Sequence, residues 1–419
     1  MQRKYSKLLE TPPHGPSCGL IKSKCIFVKQ LSKLKEDQER GYSGSLGPVK
    51  SFQGDAFFAS FVNEPMTARG ILEESGRIRG NGEIIAFGDI HGDFLALLGV
   101  LRAAECIDDH AHWKPRDSKP KRCVVQLGDM LDRAGRGNAS TDTSHMAREE
   151  INIIEYLHCL NIEANTFGER VLTLSGNHEL YALRSAVDPA VAERWGRYVS
   201  PATTQPLAGR DRKDVLSSPG ALRYFAMHRP LMAVSSTGWL FAHGDVPIAA
   251  LLTFQKSHTR LLRYIRSHTV LTCAEAVVGA VNLLWACHVL EIGGDTTMTK
   301  IISPMLPDDE RTKGFKSELS PFALAVCTCR TLATMGKPEG IACDCSANVD
   351  SVGNALSLDW TISGGIALGH TVNANISTSC NGRLQLLDIG MSEAFAGFNT
   401  TGKVAYLRVS ANQTTYHGS

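Results

Sequence analysis

Ile84-Ile85-Ala86-Phe87-Gly88-Asp89-Ile90-His91-Gly92 joins a short apolar run to two ligand-type side chains bounded by glycines. The run has the length and composition of a strand buried on both faces. Asp89 and His91 are one residue apart, so in extended backbone both project to the same side. The same join recurs four times along the chain. Cys123–Leu127 ends at Gly128-Asp129-Met130-Leu131-Asp132-Arg133, and Val171–Leu174 runs into Gly176-Asn177-His178-Glu179. Trp239–Ala242 ends at His243-Gly244-Asp245, and Gly365–Leu368 at Gly369-His370. Helix-like segments at 94–104 and 146–160 lie between several of these runs. Alternating strands and helices predict a layered α/β fold with ligands at the carboxyl ends of strands, where loops converge.

The five clusters together offer hard oxygen and borderline nitrogen donors suited to two divalent transition metals. Hydrolysis of a phosphoester gives a reason for such a pair. Anionic oxygens shield the phosphorus and water is a poor nucleophile at neutral pH. Two cations about 3.5–4 Å apart lower the pKa of a shared water and neutralise the charge that develops. Asp89 and His91 can share one metal, and Asp129, ending the next run, is the natural bridge. Asn177, His243 and His370 then supply an amide and two imidazoles to the second metal. Arg133 offers a planar fork suited to phosphate oxygens. His178 is placed to protonate the leaving group, and Asp132 to orient that imidazole.

The series GDIHG, GDMLDR, GNHE, HGD and GH resembles the signature of the calcineurin-like metallophosphoesterase superfamily, in its phosphoprotein-phosphatase branch. His178 directly after Asn177, and Asp132-Arg133 closing the second cluster, mark that branch. Gly369-His370-Thr371-Val372, Gly382-Arg383 and Leu387-Asp388-Ile389-Gly390-Met391-Ser392 are similar to the bacterial-type Shewanella-like phosphatases. The resemblance covers residues 82–398 and is carried by the clusters. It implies a central β-sandwich of mixed sheets flanked by helices, with a dinuclear site at strand carboxyl ends. It implies metal ligation by Asp89, His91, Asp129, Asn177, His243 and His370, and catalytic roles for Asp132, Arg133 and His178. The implied cofactors are two divalent ions, Mn or Fe, with Zn as a further option. The implied reaction is in-line attack of a metal-bridging hydroxide on a phosphoprotein or phosphopeptide phosphomonoester.

Three positions depart from that pattern. Ala134 follows Asp132-Arg133 where the family has Gly, and Asp245 ends the fourth cluster, adding a carboxylate near the metals. The second phosphate-binding arginine, expected in a Ser-Pro-x-Trp-x-Arg stretch, has no match after Ser303-Pro304, which leaves Arg311 as its substitute. A nucleotide or dinucleoside polyphosphate hydrolase on the same metal pair is the alternative reaction. The lost arginine also motivates a catalytically silent metal-bound scaffold.

Composition fits an ordinary globular chain. The 419 residues are 21% charged and 43% hydrophobic with a formal net charge of +2, so no nucleic-acid partner is expected. Residues 1–80 mix basic and polar residues with Pro-Gly patches and are expected as a partly disordered N-terminal extension. The catalytic domain is expected over 81–400, with 293–350 as a cap or substrate-facing insertion and 401–419 as a tail. No secretory signal is apparent, which favours a cytoplasmic location, although the basic extension leaves organelle targeting open. The greasy stretch 270–290 contains Glu275, Asn282 and His288, which favours a buried helix over a membrane span. Twelve cysteines are too few for a disulfide scaffold, so reduced thiols are expected. Cys327-Thr328-Cys329 and Cys343-Asp344-Cys345 have spacers tighter than usual zinc pairs, which favours free thiols there too.

Overall fold

The computed structural model describes residues 54–80, 82–116, 120–133, 149–198, 212–308, 321–335, 345–356, 364–392, 394–395, 403–410 and 413–418. In chain order the strands are β1 (Arg77–Ile78), β2 (Glu83–Phe87), β3 (Arg122–Gln126), β4 (Arg170–Thr173), β5 (Met232–Ser235) and β6 (Trp239–Ala242). They continue with β7 (Gly365–Leu368), β8 (Ser377–Ser379), β9 (Leu384–Leu386), β10 (Ala405–Ser410) and β11 (Gln413–Gly418).

Two mixed sheets result. One has the order β11-β10-β2-β3-β4, the other β1-β5-β6-β7-β9-β8. The pairs β2/β3 and β3/β4 are parallel, so these three strands deliver their carboxyl ends to one edge. β6 and β7 are parallel in the second sheet and do the same. Ile84, Ala86, Val125, Leu127 and Leu172 from the first sheet pack on Ala233, Trp239, Phe241, Ala367 and Leu387 from the second. This dry layer makes the pair a sandwich. Ile85, Phe87 and Val124 point the other way, onto the helices Phe94–Ala103 and Glu149–Thr166. The outer face of the second sheet is covered by the helix Cys273–Ile292 and its neighbours. All residues of β2, β3, β6 and β7 are buried, as expected for runs with apolar neighbours on both sides. The α/β sandwich expected from the sequence is the observed fold.

The helix Cys273–Ile292 is long and apolar enough to cross a membrane by length and composition, yet it lies inside the protein, with Trp285 and His288 fully buried. Its polar residues are anchors. Glu275 closes a capping box with Thr272 and pairs with Arg77 at 2.7 Å. Asn282 accepts from the Leu231 and Met232 amides and donates to the Ser75 and Met232 carbonyls, tying the helix to β5.

The boundaries differ from expectation at both ends. Residues 54–80, expected within the extension, contribute buried Phe57, Phe58, Phe61, Ile71 and Leu72 to the main core, and β1 pairs with β5. The helical spacing of Phe57, Phe58 and Phe61 lasts barely one turn, too short a run to signal that packing in the sequence. At the other end, β10 lies antiparallel to β2, so residues expected as a tail complete the first sheet. The described residues of the insertion are largely helical, and the helix Pro321–Thr328 ends against the strand-end loops, where Gly244 donates to the Val326 carbonyl at 2.6 Å. Arg311 and Cys343 lie outside the described residues. Cys345 is disulfide-bonded to Cys380, which corrects the reduced-thiol expectation for that pair and removes Cys345 from any four-thiol zinc site. Asp350 and Arg383 pair at 2.6 Å beside it, so the helix Ser346–Leu356 is tied twice to the β8–β9 turn.

One buried carboxylate holds the strand-end loops together. Glu179 accepts from the amides of Gly176 (2.8 Å), Asp129 (2.9 Å), Met130 (2.8 Å) and Leu131 (3.2 Å). The loops after β3 and β4 are thereby one unit. Charge-assisted bonds of this type are worth roughly 1.5–3 kcal/mol each against unmet donors. Glu179→Gln places an amide NH₂ against some of those amides. It is expected to lower unfolding free energy by about 3 kcal/mol and to reduce bound metal, read by urea titration and elemental analysis. Unchanged values in both measurements would contradict the anchoring role.

Glu155 carries a second prediction. Burial pushes its carboxyl from the ordinary 4.5 up to about 8. The folded pKa is the higher one, so the protonated acid stabilises the fold below pH 4.5, and that contribution disappears as pH rises through 8. Relative to Glu155→Gln, the wild type is expected to lose on the order of a few kcal/mol between pH 5 and 8.5. Parallel stability curves across that window would refute it.

Candidate metal centre and active site

Each cluster sits where its strand stops. Asp89 and His91 follow β2, Asp129 follows β3, Asn177 opens the helix after β4, His243 follows β6 and His370 follows β7. Four of the key residues, His91 (φ 41°), Asp129 (52°), Asp132 (66°) and His370 (63°), are in the left-handed region, which is uncommon outside glycine. Strain gathered at one place is typical of a functional site. Close approach adds to it: a Cβ on Gly369 would lie 2.6 Å from Asp89 Oδ1, and one on Gly176 would collide with Asp129.

Asp129 is the hub. Its Oδ2 lies 3.1 Å from His243 Nε2, 3.8 Å from His178 Nε2 and 3.9 Å from His91 Nε2. It belongs to both sets of buried donors able to hold a cation, His91–Asp129–His178 and Asp129–His243–His370. Asp89 Oδ2 lies 3.7 Å from His91 Nε2, and Asn177 Oδ1 lies 2.9 Å from His243 Nε2. All six expected ligands therefore meet in one place.

The donor chemistry fits cations. His91 Nδ1 and His243 Nδ1 donate to the Leu131 and Leu127 carbonyls at 3.0 and 2.9 Å, so Nε2 is the ring nitrogen that faces the carboxylates and would bind a cation on giving up its proton. Metal bonds of about 2.0–2.2 Å put neighbouring ligand atoms roughly 3–4 Å apart, the spread seen here. Burial, then the Asp388 and Asp129 carboxylates, drive the Asp89 pKa well up, a crowding that positive charge relieves. Burial would also raise Asp129, but the His243, His178 and His91 imidazoles outweigh it and hold that carboxyl well below the usual range. Burial and then His243 lower His370 to about 3, so its imidazole is neutral and able to ligate.

Beside the donors, His178 Nδ1 meets Asp132 Oδ2 at 2.8 Å. Arg133 is fully buried and donates from Nη1 to the Gly92 carbonyl at 3.0 Å, with Nη2 3.8 Å from Asp93 Oδ2. Asp245, expected near the metals, turns away. Its carboxylate accepts from the Val246 amide at 2.7 Å and from Leu332 at the start of the helix Thr331–Met335. A carboxylate that satisfies buried amides in this way is spent as a cap. The insertion reaches the site through Thr328, whose carbonyl lies 3.2 Å from His370 Nε2.

Sequence reasoning missed five residues here. Glu179 was visible in its cluster without a role. Asp388 presses on Asp89 from the far end of the chain. Glu150, Trp195 and Arg212 converge on Asp132 through hydrogen bonds of 2.7–2.9 Å, from three elements with no motif.

A family model described as calcineurin-like phosphoesterase matches residues 82–272. The chain is 34% identical over 97 residues to Shewanella-like protein phosphatase 2 of Arabidopsis thaliana, covering 23% of this chain and 20% of that protein. It is 34% identical over 102 residues to Shewanella-like protein phosphatase 1 of Plasmodium berghei, 24% of each. The aligned stretches thus span a fifth to a quarter of those two relatives. An uncharacterised protein of Schizosaccharomyces pombe is 24% identical over 383 residues, covering 88% of this chain and 92% of that one. Among solved structures, the cold-active protein-tyrosine phosphatase of a psychrophilic Shewanella species aligns with a TM-score of 0.51 at 15% identity. That alignment takes in 84% of this chain and 85% of the other, a likeness of fold. Residues 82–272, which carry Asp89, His91, Asp129, Asn177 and His243, are thus similar to the calcineurin-like phosphoesterases, and the fold is similar to that of a solved phosphatase.

Proposed function

We propose that this chain is a metal-dependent phosphoprotein phosphatase that hydrolyses phosphomonoesters. The observation that carries the reading is the His178–Asp132 pair set against the donor hub. Asp132 holds Nδ1 at 2.8 Å, and Nε2 faces the cluster 3.8 Å from Asp129 Oδ2. Such a pair suits general acid catalysis: a carboxylate fixes which nitrogen carries the transferable proton and where it points. The relatives' names, protein phosphatases in two organisms, support the substrate class.

Two divalent cations, Mn or Fe in this reading, would be held by Asp89, His91, Asp129, Asn177, His243 and His370. When bound they supply a nucleophilic water at neutral pH and offset the charge of the transferring phosphoryl group. The protein's own residues do the rest. Asp132 keeps the His178 imidazole in one orientation, and His178 gives its Nε2 proton to the departing alcohol oxygen. Arg133, next to Asp132 and against the 89–92 loop, steadies phosphate oxygens with its fork. Burial of the whole set keeps bulk water from competing for these bonds.

His178→Asn is expected to retain its metals, by elemental analysis, and to turn over a phosphopeptide roughly 10²–10⁴ times more slowly. Near-normal turnover would refute the acid role. Assaying the wild type on a phosphopeptide beside a dinucleoside tetraphosphate checks the substrate class. Preference for the latter would replace this reading with a pyrophosphate-bond hydrolase. Two bound metals with no hydrolysis of either substrate would indicate a silent scaffold.

A further inference from the structure

We propose that Arg212 is a positioning residue for leaving-group protonation, acting through Asp132; the inference rests on the phosphatase reading above. Arg212 opens the helix Arg212–Leu216, far in sequence from every cluster. Its Nη2 donates to Asp132 Oδ1 at 2.7 Å and its Nε to Glu150 Oε2 at 2.8 Å. The other Glu150 oxygen accepts from the amides of Asp132 (2.8 Å) and Arg133 (3.3 Å). Asp132 Oδ2 accepts from Trp195 Nε1 at 2.9 Å and meets His178 Nδ1 at 2.8 Å.

The Asp132 carboxylate is therefore held at both oxygens, and its backbone is held by Glu150 in a left-handed turn (φ 66°). Both acids are buried, with side chains no more than 2% exposed, and Arg212 is the cation bonded to each. A guanidinium is shaped for this: its donors are fixed in one plane and can meet two carboxylates at once, which an ammonium cannot. With Arg212 in place, Asp132 cannot rotate, so the His178 proton stays aimed at the site. Without it, Asp132 Oδ1 and Glu150 Oε2 lose the donor group they share, and the carboxylate that orients the His178 imidazole is held less firmly. Both donor atoms named are engaged by protein acids, so the role differs from that of a phosphate clamp. Arg212 touches the catalytic pair, and the pair touches the substrate.

Leaving-group dependence separates the two roles. Phenolate departs readily only when protonated, whereas 2,4-dinitrophenolate departs as the anion, so only the first needs the acid. In the full-length, metal-loaded protein, Arg212→Met is expected to lower kcat for phenyl phosphate by ~10²-fold. KM is expected to stay within about twofold, and kcat for 2,4-dinitrophenyl phosphate within about threefold. Arg212→Lys keeps the charge without the bridging fork. It is expected to show an intermediate loss with the same leaving-group bias, and it carries the test if Arg212→Met does not fold. Methylguanidinium added to Arg212→Met is expected to restore part of the phenyl phosphate rate.

Equal losses on both substrates, or a loss expressed as raised KM, would overturn the proposal in favour of a structural or clamping role. Full activity of both variants would overturn it as well. A wild type inactive on both substrates would instead defeat the phosphatase reading, and this inference with it.

Discussion

The site depends on one buried anion whose oxygens are taken up by backbone amides. Glu179 gathers four backbone amides from the loops after β3 and β4. Those loops carry Asp129, Asn177 and His178, so the relative placement of the proposed bridge, the proposed amide ligand and the proposed acid follows from a single carboxylate. The cost of burying it, which raises its pKa, is offset in part by the number of donors, since an isolated buried charge would be prohibitive. The same donors let Asp129 keep its left-handed backbone, which turns its oxygens toward the imidazoles.

Around this anchor the protein uses charge in two opposed ways. The metal-type pocket concentrates carboxylates, and Asp388 adds to the crowding at Asp89. The neighbouring pocket concentrates carboxylates as well, but there a resident guanidinium answers them. Burial would raise Asp132, and the Arg212 charge, joined by the His178 and Trp195 hydrogen bonds, outweighs that effect and keeps the carboxyl below its ordinary range. One pocket has the donors to take a cation from solution, and the other has a guanidinium of the chain beside its acids. His178 lies on the border, with Nδ1 in the second pocket and Nε2 at the first.

The sequence made the strand runs and the ligand-type residues that converge at their ends legible because both signals are local. A doubly buried strand is a run of apolar residues, and a ligand at its end needs a particular side chain and a glycine turn. What is built by long-range pairing left no such trace. β10 and β11 have mixed polarity and no cluster, and Arg212 is one arginine among many until the fold sets it beside Asp132. Asp245 misled for the opposite reason. It sits in a ligand-rich motif, yet the amides of Val246 and Leu332 claim it, and those partners appear only once the insertion packs. The disulfide was hidden in the same manner, because Cys380 belongs to neither Cys-x-Cys pair.

The position of β10 bears on how the molecule is made. It lies between β11 and β2, and β2 is the strand that carries Asp89 and His91. A ribosome emits β2 more than three hundred residues before its antiparallel neighbour, counting from Glu83 to Ala405. Throughout that interval one edge of a strand that is apolar from Ile84 to Phe87 has open backbone donors and acceptors, a template for mispairing. Nascent chains of this protein therefore have reason to engage holdase chaperones until translation is nearly complete, and stalled fragments have reason to aggregate through that edge.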